Sequence, residues 1–297
     1  MPNLKRSGFT LVELLIAMVL FGLVAAGIYK VLVGHQRLYQ AQTQRIDLQQ
    51  NVRAGVAILP AEFRELDASE GDISAMSATS ITIRAMRQFA VLCNQPALGV
   101  GNPIMIVRDR PFYGIRNFDP ARDSILVYYE GDEATRNDDS WLRGRATAVG
   151  AGVCPDGTVG RTLTTALVFG NTVGPSPAFT VYPQINQTGR VQIGSPIRGF
   201  ESVTYGLYQT GGEWFVGLNA TGTGGMQPLI GPVTSTGLEM IYRDSTGAVT
   251  NNPLRVGLIE IHLRAMTARQ VRMPDGQLTR PVDSVTTVVA LRNNRRF

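Results

Sequence analysis

Close to its N-terminus the chain has an uninterrupted apolar segment, from Phe9 to Tyr29, in which Glu13 is the only charged residue. As a helix, these 21 residues span roughly 31 Å at about 1.5 Å per residue, which matches the hydrocarbon thickness of a bilayer. A carboxylate within such a segment is costly where it faces lipid. We therefore expect Glu13 to pair with a positive charge on another molecule.

A helical pattern continues beyond the apolar segment, because apolar residues recur at spacings of three and four, apart from a gap at Arg45. They are Ala41, Leu48, Val52, Val56, Leu59, Phe63 and Leu66. This stripe predicts a helix face that packs on a sheet. Pro60 is expected either to kink this helix or to begin a new one at Ala61.

From about residue 70 the apolar period changes to two, which is typical of strands. The segments with this pattern are 80–86, 124–129, 163–169, 200–209, 213–218, 238–243, 256–266 and 285–291. Turn residues separate them, at 211–212, 244–247 and 274–276. We predict an α+β fold, in which one long N-terminal helix packs on a mostly antiparallel sheet.

The residues from Lys5 to Ile16, K-R-S-G-F-T-L-V-E-L-L-I, resemble the prepilin signal of type IV pilins and of type II secretion pseudopilins. The resemblance implies that a prepilin peptidase cuts between Gly8 and Phe9 and that the new terminal Phe9 is N-methylated. It also implies that Glu13 pairs with the terminal amine of a neighbouring subunit. The alternative is a plain signal anchor with an incidental glutamate. An ordinary secretory signal has a shorter apolar stretch and is cut after it.

The second half of the chain, at residues 198–293, is similar to the W-type minor pilins and to the J-type pseudopilins of type II secretion, whereas residues 90–195 resemble neither. Lys30 occupies a position where many major pilins carry proline, which favours a minor pilin or a pseudopilin. The resemblance implies a leader at 1–8, a transmembrane and assembly helix at 9–66 and a periplasmic β-rich domain at 67–297. The N-terminus then lies in the cytoplasm and the helix in the bacterial inner membrane. Basic residues flank both ends of the apolar segment, so charge alone barely sets this orientation.

The membrane-proximal helix has two interpretations. Leu14, Met18, Phe21 and Ala25 either pack against the equivalent helices of other pilins or pseudopilins in a filament, or face lipid. The small residues around them, Gly22, Ala26 and Gly27, suit close helix approach.

The two cysteines, Cys93 and Cys154, lie beyond the membrane segment. In an oxidising periplasm such a pair is more often a disulfide than two unrelated thiols. On the loop-entropy model, a bridge of this span stabilises the fold by about 4 kcal/mol. Two cysteines with only His35 and His262 do not have the spacing of a zinc site.

Composition narrows the function further. The net charge of +5 is too small and too dispersed to indicate nucleic-acid binding. We find no Ser or Cys nucleophile beside a plausible base, and we interpret His262 as an exposed or capped strand residue.

The acidic run at 130–139 is interpreted as a solvated loop, with calcium binding as the alternative. The glycine-rich stretch at 222–225 and residues 151–160 are expected to be loops.

We therefore expect a structural subunit that needs no cofactor and is not an enzyme. Its expected partners are the prepilin peptidase, other pilins or pseudopilins and the inner membrane. The alternative from another class is a membrane-anchored binding or enzymatic domain, which would require a cleft with convergent polar groups within residues 90–195.

Overall fold

The computed structural model describes residues 10–96, 103–114, 116–130, 140–168, 191–273 and 276–292. The chain forms two compact units. The first contains residues up to 50 together with 266–282, and the second contains 51–265 together with 283–297. The division expected at residues 8 and 66 stays a prediction.

One helix, α1, runs from Leu11 to Arg64. It continues through Pro60, so of the two alternatives for that residue the start of a new helix at Ala61 is wrong. The helix ends two residues before the expected 66. The predicted apolar stripe is confirmed, since Leu48, Leu59 and Phe63 are among its buried members.

Thirteen strands are assigned within the described residues. They are β1 Ile73–Ser77, β2 Ser80–Leu92, β3 Ile104–Gly114, β4 Ser124–Tyr129, β5 Ser140–Val153, β6 Val159–Val168, β7 Pro196–Thr210, β8 Glu213–Ala220, β9 Gln227–Arg243, β10 Leu258–Met266, β11 Val271–Arg272, β12 Leu278–Thr279 and β13 Val282–Ala290. A short 3₁₀ turn spans Pro253–Arg255.

The first unit contains most of α1 and the hairpin of β11 and β12. Within this unit, the backbone N–H of Arg269 donates a hydrogen bond of 3.0 Å to Gln44 Oε1. Gln44 lies between Ala41 and Leu48 of the apolar stripe, at helical spacings of three and four residues.

The second unit is built on an 11-stranded sheet, in the order β1-β2-β3-β6-β5-β4-β7-β8-β9-β10-β13. Because β2 also pairs with β7, the six strands β2, β3, β6, β5, β4 and β7 close into a ring. Each pairing around this ring is antiparallel. The ring is a six-stranded barrel, and its strands β2 and β7 also belong to the open part of the sheet.

Apolar side chains fill the inside of the barrel. Alternate residues of its strands point inward, as the period of two requires. The main members of this core are Leu92, Met105, Val107, Ile125, Val127, Tyr129, Leu142, Leu163 and Ile197. Residues 90–195 thus contribute four of the six barrel strands, β3 to β6, and most of its hydrophobic core.

The C-terminal part of α1 packs on the open sheet. Phe63 meets Tyr205 of β7 edge to face, with ring centroids 5.7 Å apart. Asn51 Nδ2 donates a hydrogen bond of 2.9 Å to the carbonyl of Gly231 in β9. A Cβ atom on Gly55 would lie 2.3 Å from Leu263 Cδ2 of β10. Glycine at this position therefore allows the helix to approach the sheet closely.

The predicted fold class is confirmed, and each of the eight predicted strand segments overlaps a strand. Sequence analysis missed β1, β3 and β5 and the two-residue strands β11 and β12. The prediction of a loop over 151–160 is partly wrong, because β5 continues to Val153 and β6 begins at Val159. Cross-strand pairing of the two strands extends the hairpin into that stretch.

Candidate assembly site on the N-terminal helix

Thr10 and Glu13 form a reciprocal cap at the start of α1. Glu13 Oε2 accepts hydrogen bonds from the backbone N–H of Thr10 at 3.0 Å and from its hydroxyl at 3.1 Å. In return, the Glu13 N–H donates to Thr10 Oγ1 at 3.3 Å. The pair has the spacing of a capping box, which satisfies N–H groups that the first helical turn leaves free. It also holds the Glu13 carboxylate beside the N-terminal end of the helix.

The helix beyond this cap exposes a continuous apolar surface. This part of α1 is long and apolar enough to cross a membrane, and none of it is buried in the structure. Leu14, Met18 and Phe21 are all more than half exposed. Gly22 and Gly27 have no other group within 4 Å of the position of a Cβ atom. Such a surface requires lipid or other apolar helices around it.

Comparison with known families agrees with this geometry. Residues 3–29 match the family model of the prokaryotic N-terminal methylation motif. The prepilin-type signal of type IV pilin-like proteins is therefore present. It implies processing by a prepilin peptidase and assembly with other pilins, and together with the apolar helix it fits anchoring in the inner membrane.

The matched residues form a small part of the chain. No curated protein and no solved structure matches it. Gly8 and Phe9, the predicted cleavage and methylation residues, lie outside the described residues, as do 131–139 of the acidic run. These assignments and the calcium alternative stay predictions.

Cys93 and Cys154 are joined by a disulfide, with sulfur atoms 2.02 Å and Cα atoms 5.5 Å apart. Cys93 directly follows β2 and Cys154 directly follows β5. Both side chains are buried. The bridge therefore connects two strand ends of the barrel.

A chain of charged side chains runs from α1 to the barrel, and sequence analysis did not find it. Arg87 of β2 lies 3.1 Å from Glu62 of the helix and 3.5 Å from Glu201 of β7. Glu201 lies 3.6 Å from Arg116, which contacts the fully buried carboxylate of Asp123 at 2.6 Å. The only signal in the sequence is the placement of charges within apolar strand patterns. Each buried charge has an opposite charge beside it, which offsets part of its desolvation cost.

A cavity of about 210 Å³ lies between the end of α1 and the outer side of the barrel, within the second unit. Glu62, Asp72, Arg84, Arg87 and Arg198 are among its lining residues. Burial raises the pKa of Asp72 and lowers that of Arg84, although these two groups lie 3.8 Å apart. Burial outweighs this pairing in both pKa values. The cavity is lined by similar numbers of acidic residues and arginines. Its charge therefore favours neither an anionic nor a cationic ligand.

His262 lies between two polar side chains on the outer face of the sheet. Its Nδ1 is 2.9 Å from Thr286 Oγ1 and its Nε2 is 3.0 Å from Glu260 Oε1. The order of hydroxyl, imidazole and carboxylate is that of a hydrolase triad. However, Glu260 also pairs with Arg243 at 3.1 Å, and Thr286 is exposed. We interpret the three groups as a cross-strand ladder.

The described residues offer little for a bound cofactor. Among them, no group of three His, Cys, Asp or Glu side chains is placed to hold a metal ion. The alternative of a binding or enzymatic domain would need a cleft with convergent polar groups within residues 90–195. The described part of that region contributes most of the barrel interior, which is packed with apolar side chains.

Proposed function

We propose that this chain is a minor pilin-like subunit of a type IV pilus. In this proposal the leader is removed between Gly8 and Phe9, Phe9 is methylated, and the subunit helps to initiate or cap the filament. The observation that carries the proposal is the N-terminal methylation motif at 3–29, followed without interruption by an exposed apolar helix.

The proposed mechanism is assembly. Glu13 recruits the terminal amine of a neighbouring subunit, and the apolar part of α1 moves from the bilayer into a core of equivalent helices. A carboxylate has about four acceptor positions, so it can bind an amine while it keeps its hydrogen bonds to Thr10. In an apolar surrounding, a charge-assisted pair is stronger than in water. The periplasmic β-rich domain would then set the position of the subunit and its contacts.

Two observations favour a minor subunit over a major one. Lys30 occupies a position where many major pilins carry proline, and the helix is continuous there. The open sheet also carries an additional barrel, whose bulk suits a subunit present in few copies. The alternative is a J-type pseudopilin of a type II secretion system, which shares the resemblance over 198–293.

The second alternative is a membrane-anchored binding or enzymatic domain. Within the described residues, the cavity beside Arg84 is an observation in its favour, but the charged groups of that cavity largely pair with one another. Turnover of a substrate, or saturable binding of a small ligand, by the purified chain would support this alternative.

The test of the assembly proposal is incorporation of Glu13→Ala into filaments. The variant should insert in the membrane at the normal level and be incorporated at least tenfold less than the unchanged chain. Asp47→Asn is the matched control, because Asp47 is an exposed acid of the same helix beyond the apolar segment. Normal incorporation of Glu13→Ala would contradict the charge-pairing mechanism.

A further inference from the structure

The open sheet has two edges, and the β1 edge is protected. β1 is five residues long and its register with β2 shifts between Ile73 and Ala75. The 3₁₀ turn at Pro253–Arg255 contacts it. The Tyr242 hydroxyl donates a hydrogen bond of 3.0 Å to the carbonyl of Ser77. A short, irregular and covered edge is how proteins prevent strand addition.

The β13 edge has few of these protections. Among the described strands, β13 has β10 as its one neighbour. The Leu291 N–H donates to the Gly257 carbonyl, and the Thr267 N–H to that of Pro281, both at 3.0 Å. These bonds place the two strands in one constant antiparallel register, without a bulge between them. From Ser284 to Ala290 the strand contains no charged residue and no proline.

The register decides which backbone groups are free. Odd-numbered residues of β13 direct their N–H and C=O groups towards β10, so those of the even-numbered residues point outward. The Ser284 N–H is bonded to Asp283 Oδ1 at 2.9 Å, which closes that end of the edge. Thr286, Val288 and Ala290 form the open part, and the Val288 side chain is 59% exposed.

We propose that this open edge of β13 pairs with a short extended segment of another polypeptide. The free groups match an added strand, which we expect to be antiparallel like the pairs of this sheet. The segment should be uncharged opposite Thr286 to Ala290. The end of α1 closes the other end of the edge, since the Arg292 N–H donates to the Arg64 carbonyl at 2.8 Å. The Arg292 guanidinium lies 3.7 Å from Glu65 but is still 71% exposed, so the segment should carry an acidic residue beside it.

A second copy of the chain fits this edge poorly. Two identical strands paired antiparallel are related by a two-fold axis perpendicular to the sheet. Such an axis reverses the direction of the helix that packs on the sheet. Two copies of α1 anchored in the same bilayer cannot run in opposite directions. The occupant we infer is therefore a different chain, and the inference does not depend on which filament or secretion system the protein serves.

The test is site-specific photo-cross-linking of the full chain in its own cells. A photoreactive residue at Val288 should give an adduct at least tenfold above one at Val159. Val159 is the matched control, since it is an exposed valine at the start of a strand that pairs on both sides. Moving the probe from 288 to 286 should shift the partner's cross-linked residue by two positions, in the direction of an antiparallel strand.

Two variants test the backbone pairing and the charge preference of the edge, each with the photoreactive residue at position 286. Val288→Pro removes an outward N–H that β10 does not use, so the chain should fold and the adduct should fall at least tenfold. Arg292→Glu should lower the adduct at least threefold, whereas Arg145→Glu, at an exposed arginine of the barrel, should not. An adduct no stronger than that of Val159, an adduct with a second copy, or one indifferent to Val288→Pro would overturn the inference.

Discussion

Glu13 Oε2 lies 3.0 Å from the backbone nitrogen of Thr10, so the one charged residue of the apolar helix also caps the start of that helix. The cap holds the carboxylate at the N-terminal end of α1. Cleavage after Gly8 would make Phe9 the new terminal residue, two residues before the first residue of the helix. The cap uses Oε2 of this carboxylate, and the proposed pairing with a neighbouring subunit uses the same carboxylate. A substitution of Thr10, like one of Glu13, should therefore affect both the helix cap and the proposed pairing.

Thr10→Ala removes one hydrogen bond to Glu13 and the acceptor for the Glu13 N–H. Loss of an N-cap residue costs about 1 kcal/mol. Amide hydrogen exchange at residues 11–13 of the full chain in micelles should accelerate roughly fivefold. Thr43→Ala is the control, since Thr43 Oγ1 donates to the Tyr39 carbonyl within the same helix and does not cap it. Equal exchange at residues 11–13 in both variants would show that Thr10 is not a cap.

Gly55→Val tests the close approach of α1 to β10. A Cβ atom at residue 55 would overlap Leu263 Cδ2, and overpacking of a core costs about 1–3 kcal/mol. The variant should lower the free energy of unfolding by this amount in a denaturant titration, and the double variant with Leu263→Ala should lose less than the sum of the two single losses. Gly34→Val, where a Cβ atom meets nothing within 4 Å, should change stability little. A double variant that is no better than the sum of its singles would argue against the contact.

The disulfide between Cys93 and Cys154 closes a loop with a sequence separation of 61. Replacing both cysteines by alanine should lower the free energy of unfolding by about 2–4 kcal/mol, because the unfolded chain regains conformational freedom. The unchanged chain under a reducing agent should unfold at nearly the same denaturant concentration as the double variant. If reduction leaves the unfolding midpoint of the unchanged chain unaltered, the bridge contributes nothing to its stability.

Asp72 predicts a pH dependence of stability. Burial raises its pKa in the folded protein, so the folded state binds this proton more tightly than the unfolded chain. The stabilisation is present below about pH 4, the ordinary range of an aspartate, and is lost as the pH rises through the raised pKa. The unfolding free energy of the unchanged chain minus that of Asp72→Asn should therefore fall with rising pH. A difference that grows with pH would contradict this assignment.

Asp156 is the internal control, because the sign of its effect is opposite. Hydrogen bonds from the side chain and backbone of Thr158, at 2.6 and 3.0 Å, and the nearby Arg108 lower its pKa to about 2. The unfolding free energy of the unchanged chain minus that of Asp156→Asn should hold its value above about pH 4 and decline as the pH falls towards 2. Urea unfolding of the variants over one pH series measures both effects.

The local sequence pattern predicts a strand well where apolar and polar residues alternate cleanly. It does not predict which distant strands pair with one another. Residues 124–129 were predicted with the observed bounds of β4. β5 was missed because Gly144, Gly150 and Gly152 weaken its strand pattern. The structure explains two of them: a Cβ atom at Gly144 would lie 2.6 Å from the Ala166 carbonyl oxygen, and one at Gly152 would lie 2.5 Å from Thr162 Oγ1.

The barrel itself was beyond sequence reasoning. It closes through the pairing of β2 with β7, in which Ser80 lies opposite Gly206. No local signal specifies a partner so distant in the chain. The same holds for the ion pairs around Arg87, whose partners come from α1 and β7. The N-terminal site was predicted better, because Thr10, Glu13 and the apolar run are adjacent in sequence and need no tertiary contact to be recognised.

The most direct test of the central proposal is the intact mass and N-terminal sequence of the protein from membranes, with and without prepilin peptidase. We predict that the peptidase-positive cells contain a chain that begins at methylated Phe9, and that the peptidase-negative cells retain the chain from Met1. A chain that still begins at Met1 in peptidase-positive cells would contradict processing, and with it the assignment of this protein as a pilin-like subunit.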